Sequence, residues 1–133
     1  MSELILRLRE RGWRLTAQRR VIAEALTGDH LHLTADEVLT RARERLPEVG
    51  RATVYATLRE LVEMGELTEV SPGRGPVRYD PNISERHHHL VCETCGAVYD
   101  VRAPAPTLPA DQLHGFEVAS AEVTFRGRCP DCR

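Results

Sequence analysis

The chain has 133 residues, of which 41% are hydrophobic and 29% charged, with a formal net charge of −2; that length suits one domain, or two small ones that share their stabilisation. Its uncharged apolar stretches fall far short of the ~18 residues a membrane helix needs, which excludes membrane-spanning and fibrous classes and predicts a soluble globular protein. The charge is unevenly spread: residues 1–79 carry 13 Arg against 12 acidic residues, residues 80–133 carry 5 against 8.

Met1 to Arg11 alternates charged residues with Leu and Ile and has neither the apolar stretch nor the cleavage site of a signal peptide, so a cytoplasmic protein with no membrane partner is expected. The first 23 residues hold six Arg and two Glu, a basic front. Every basic residue is Arg; this side chain binds phosphate well, but wholesale replacement of Lys also fits a GC-rich genome. Leu4, Ile5 and Leu8 share one face of a first helix ended by Gly12. Val21, Ile22, Ala25 and Leu26 mark a second, ended by Gly28. Thr34-Ala-Asp-Glu37 has the form of a capping box and opens a third helix through Val38, Leu39 and Ala42. Pro47 and Gly50 mark a turn.

A fourth helix is predicted from Ala52 to Met64, with Val54, Leu58, Leu61 and Val62 inward and Gly65 as the stop. Glu66 to Val70 and Val77 to Tyr79 read as strands either side of the Pro72–Pro76 turn. Helices joined by a short turn and followed by a hairpin make a winged helix-turn-helix. In that geometry the fourth helix presents Arg51, Thr53, Tyr55 and Arg59 to the major groove. The same face also fits a solvated bundle helix.

Residues 81–86 lack apolar periodicity and read as a hinge between domains 1–80 and 87–133. Strands follow at His88–Cys92, Ala97–Arg102 and Glu117–Phe125, with Val118, Val123 and Phe125 expected in the core and a short helix running from Pro109 toward His114. The fold class is thus α+β, a winged helix-turn-helix domain followed by a small α/β dimerisation domain. About 50 residues rarely suffice for stability unaided. Pairing with a second copy is expected and would match the two-fold symmetry of palindromic operators.

The four cysteines form two pairs, Cys92-x-x-Cys95 and Cys129-x-x-Cys132, the first followed by Gly96. Without a secretory signal, two such pairs predict a closed tetrahedral zinc site, structural because sulfur fills every position; a pair of redox dithiols is the alternative. Five of six histidines cluster, His30 and His32 before the third helix and His87-His88-His89 at the second domain. Strand alternation puts His87 and His89 on one face and His88 on the other. With Asp80 and Asp100 nearby, that pair offers nitrogen and oxygen ligands for a first-row divalent metal. A ligand at His32 would tie the domains together and make the metal a switch of their relative angle.

Gly12-Trp-Arg-Leu-Thr16-x-Gln18-Arg19, His32-Leu-Thr-Ala-Asp36, Arg51-Ala-Thr-Val-Tyr55, Arg78-Tyr-Asp80, His87-His-His-Leu-Val-Cys92-x-x-Cys95-Gly96 and Cys129-x-x-Cys132 together resemble the ferric uptake regulator family of metal-dependent repressors, over nearly the whole chain. The resemblance implies a homodimer with a winged-helix DNA-binding domain, a structural zinc and a regulatory Fe2+ or Mn2+ held by His32, Asp80, His87, His89 and Asp100. It implies base contacts from Tyr55 and a minor-groove contact from Arg14, with Arg19 in the same basic segment among the DNA contacts, on an A·T-rich inverted repeat. Asp100 stands where iron- and zinc-uptake branches have Glu and peroxide-responsive members have Asp. No further Cys lies near the hinge, and Thr107 and Ala121 occupy the approximate positions of third-site ligands. These features resemble the peroxide-responsive branch, with a metal-uptake repressor as the alternative. A zinc-ribbon metallochaperone would leave the N-terminal half without a purpose, and a zinc hydrolase would need an open metal position, so no enzyme is expected.

Overall fold

The computed structural model describes residues 2–28, 32–73, 75–81 and 87–133; His30 and five of the six residues of the expected hinge lie outside the described residues. The first segment forms four helices, α1 (Glu3–Glu10), α2 (Ala17–Ala25), α3 (Ala35–Arg45) and α4 (Arg51–Glu63), with a two-residue strand β1 (Leu33–Thr34) between α2 and α3. Each of the first three helices begins on a hydroxyl: Ser2, Thr16 and Thr34 accept from the amides of Ile5, Arg19 and Glu37, meeting donors that a helix start leaves free. At Thr34 the Glu37 carboxylate also accepts the Thr34 amide, completing the expected capping box. Gly50 begins α4 with no side-chain cap.

One apolar cluster binds the helices. Leu8, Ile22, Val38, Val54, Leu58 and Leu61 are fully enclosed, and Leu33, Leu67 and Tyr79 close it from the strand side. Strands β2 (Thr68–Val70) and β3 (Arg78–Asp80) form the wing, and β1 pairs antiparallel with β3 to give the order β1-β3-β2. Polar locks hold the frame. Glu66, buried at the start of the wing, accepts from Arg7 Nε at 2.7 Å and Arg11 Nη1 at 3.0 Å, so two arginines of the basic N-terminal segment serve the fold.

The second sheet has the order β5-β4-β6, where β4 (His88–Cys92) pairs antiparallel with β5 (Val98–Val101) and parallel with β6 (Thr124–Gly127). Three expectations need correction. The predicted strand Glu117–Phe125 is regular only from Thr124, and the predicted helix toward His114 is one 3-10 turn, Ala110–Gln112. Val118 and Phe125, expected in the core, are exposed, and Val123 is half-buried. Phe125 stands opposite Leu90 in the β4–β6 register, on a stretch of the sheet that this single chain leaves exposed, whereas His89 and Val91 on the other side are buried; Val118 lies before the regular strand begins.

Candidate metal centres

Strand register assembles the histidine site. In the wing, Leu33 stands opposite Tyr79, so the antiparallel ladder carries His32 to the level of Asp80. In the second sheet, His89 is the direct cross-strand partner of Asp100, and alternation along β4 sends His87 to the same side. The result brings all five expected residues together. Asp80 Oδ2 lies 3.4, 2.8 and 3.2 Å from the Nε2 atoms of His32, His87 and His89, and Asp100 Oδ1 lies 2.7, 3.2 and 3.5 Å from the same three atoms.

Those separations pass a geometric test. Nitrogen and oxygen bind such ions at about 2.1 Å, so neighbouring ligands in an octahedral or related shell stand roughly 3 Å apart. The donors are hard oxygens and imidazoles without sulfur, a set suited to Fe2+, Mn2+ or Zn2+. Asp80, His32 and His89 are buried, which favours a permanent charge partner for two carboxylates so close together. Burial alone would push the His32 imidazole down, but hydrogen bonding to Asp80 and the charge of Asp100 carry it above its ordinary value.

His88, on the opposite face, is structural. Its Nδ1 accepts the Val123 amide at 3.0 Å, leaving Nε2 to donate to the Ala103 carbonyl at 3.0 Å.

The four cysteines form the second cluster, their sulfurs all within 4.8 Å of one another and none in a disulfide. Cys95 Sγ and Cys129 Sγ are 3.9 Å apart, close to the edge of about 3.8 Å expected for a tetrahedron with 2.3 Å zinc–sulfur bonds. Amides of Cys95 and Cys129 point at Cys92 Sγ, at 3.5 and 3.4 Å, and lower its pKa to about 6. The neighbouring sulfur of Cys129 and burial push Cys132 up to about 12. Four thiols held this way cannot all ionise without a cation among them, which is the condition a zinc ion satisfies. Gly96 turns the knuckle in the left-handed region, at φ +77°.

Of the expected DNA-facing residues, Arg14, Arg51, Tyr55 and Arg59 are exposed and Thr53 half-exposed. Arg51 pairs with Asp36, joining α4 to α3. Arg19 is engaged inside the domain: it lies 4.4 Å over the Trp13 ring, bonds Glu60 at 3.0 Å, and donates to the Arg14 carbonyl. Trp13 Nε1 reaches the same Glu60 carboxylate at 2.8 Å. Sequence reasoning missed this network, and it missed β1, whose two residues are too short for any periodicity to register.

Residues 10–126 match the model of the ferric uptake regulator family. The transcriptional regulator FurA of Mycobacterium tuberculosis is 35% identical over 128 residues, covering 94% of this chain and 86% of that protein. The peroxide-responsive repressor PerR of Staphylococcus epidermidis is 32% identical, covering 100% of this chain and 90% of that protein. Among solved structures, a zinc-bound manganese uptake regulator superimposes with a TM-score of 0.73 at 28% identity, covering 96% of this chain and 99% of the other.

Proposed function

The chain belongs to the ferric uptake regulator family of transcriptional regulators, and on that footing we propose that it is a metal-dependent repressor whose regulatory Fe2+ or Mn2+ is held by His32, Asp80, His87, His89 and Asp100. The single observation that carries this reading is the convergence of ligands from both halves of the chain, two from the wing sheet and three from the second sheet. A metal there binds one arrangement of the halves better than any other, and so shifts the population toward it. Cys92, Cys95, Cys129 and Cys132 hold a structural zinc.

The DNA face is α4 with the segment before α2. Tyr55, Thr53 and Arg59 face base edges and phosphates, and Arg14 reaches the minor groove of an A·T-rich inverted repeat. The uncapped start of α4 at Gly50 leaves amides for a phosphate. Arg19 belongs to the same basic segment and, through its bonds to Glu60 and the Arg14 carbonyl, orders the stretch that bears Arg14. Two copies pair through the second sheet, where Tyr99, Leu90 and Phe125 form one exposed row across the three strands. Such a row is a surface that a partner copy covers. The repressor acts in the cytoplasm.

Within the family we favour peroxide sensing. Asp100 and the sulfur-free ligand set support it; iron held there would supply the one-electron chemistry that opens the peroxide O–O bond. Overall, peroxide would oxidise the imidazole of His32 or His87 by two electrons: a ring carbon gains one peroxide oxygen, its hydrogen stays on the oxidised ring, the second oxygen leaves as water, and the altered ring would no longer hold the metal. The likeness to a manganese uptake regulator favours a metal-uptake repressor as the second reading. Treating Fe2+- and Mn2+-loaded protein with micromolar peroxide and mapping peptides by mass decides between them. A gain of one oxygen on the His32 or His87 peptide, in the iron form only and with loss of DNA binding, supports peroxide sensing. Intact histidines beside oxidised cysteines favour the uptake repressor.

A further inference from the structure

Arg78 joins the two halves of the molecule away from the metal-binding atoms. It lies on β3, two residues before Asp80. Its Nη1 donates to the His32 carbonyl at 2.9 Å and to Glu37 at 3.1 Å, and its Nε donates to the Gly96 carbonyl at 3.1 Å. One guanidinium therefore touches the backbone of one metal-site residue, the capping carboxylate of α3 and the turn of the cysteine knuckle. A second arginine reaches back from the other side: Arg126 on β6 donates to the carbonyls of Pro72 and Ser71, at 2.6 and 3.4 Å. Gly73, at φ +89°, has its Cβ position only 2.7 Å from Arg126 Nη1, so a side chain there would displace the guanidinium. The wing is shaped to admit that arginine.

We propose that Arg78 and Arg126 form a latch between wing and cysteine knuckle, and that it raises the fraction of metal-free molecules in which His32 and Asp80 already meet His87, His89 and Asp100, a fraction the regulatory metal then completes. Both are positioning residues, and the proposal rests on reading those five residues as a metal site. Charged donors on carbonyl oxygens make strong, directional bonds. Apparent metal affinity scales with the fraction of molecules in which the halves already meet, so each molecule the latch holds closed spares the metal part of the cost of bringing them together while the remainder leaves the metal a population to shift. The cysteine knuckle, through Gly96, is thereby coupled to the histidine site.

The test measures Mn2+ affinity, by the electron paramagnetic resonance signal of free Mn2+, for zinc-loaded full-length chains carrying Arg78→Met, Arg78→Lys, Arg126→Met or His89→Ala. Arg78→Met is expected to weaken Mn2+ binding about tenfold while zinc stays at one per chain, the loss of one or two charge-assisted bonds. Arg78→Lys recovers part of the loss, because an ammonium reaches one carbonyl but not both sheets at once. Arg126→Met gives a smaller loss in the same direction. Wild-type affinity in both the Arg78→Met and Arg126→Met chains, with binding abolished in His89→Ala, overturns the latch and leaves the metal site standing. Wild-type affinity in His89→Ala overturns the site and the latch with it. If Arg78→Met loses its zinc, Arg78→Lys and Arg126→Met decide: reduced affinity at full zinc content supports the latch, unchanged affinity overturns it.

Discussion

His88 and His89 are neighbours in sequence with opposite tasks, and a single substitution at each separates them. His88→Leu deprives the Val123 amide and the Ala103 carbonyl of their partners, a cost of about 2–3 kcal/mol. Urea unfolding is expected to show that loss. His89→Ala should instead remove regulatory metal binding. Glu66 gives a prediction in pH. Burial alone would raise its carboxyl, but hydrogen bonds from Arg7 and Arg11 outweigh it and hold the pKa below the ordinary 4.5. The group therefore stabilises the fold fully above that ordinary value, and the contribution is lost as pH falls through the depressed one. The stability gap between wild type and Glu66→Gln, measured by urea midpoint, should be wide at neutral pH and narrow in acid, once pH has fallen through the depressed value. An equal gap at both pH values contradicts the assignment.

At the scale of elements, the helices were legible because apolar spacing and caps agree: Thr34 and Glu37 announce α3, and Val54, Leu58 and Leu61 announce α4. The cysteine knuckle was legible from spacing alone. His87 and His89 could be paired from strand alternation, but their meeting with His32 could not, because it depends on the β1–β3 register, a tertiary choice carried by two residues. Likewise the bond from Arg19 to Glu60 could not be read from the sequence, which shows the charge of Arg19 and not the carboxylate the fold places beside it. The second sheet has few enclosed apolar residues, Val91 chief among them, so its stability rests on the metal. Cys92→Ser or Cys129→Ser is expected to release zinc and unfold residues 87–133 while leaving the helical cluster folded. Circular dichroism with zinc analysis checks this; a folded, zinc-free second sheet contradicts it.

For the whole molecule, the exposed row of Tyr99, Leu90 and Phe125 predicts that the chain sediments as a dimer at micromolar concentration and that Leu90→Glu makes it monomeric. A monomeric wild type contradicts the proposed pairing. Two copies, each with its halves set by metal, would present two α4 helices at one fixed spacing, and that spacing links ligand chemistry to DNA recognition. On the proposed function, metal at His32, Asp80, His87, His89 and Asp100 controls this spacing. That control is tested most directly by fluorescence anisotropy on a duplex selected from a random pool with the Mn2+-loaded protein, comparing zinc-loaded wild type and His89→Ala with and without Mn2+. Such control predicts at least about tenfold tighter binding on adding Mn2+ to wild type, a coupling of roughly 1.4 kcal/mol, and no change for His89→Ala. Equal affinity of the wild type with and without Mn2+ would contradict it.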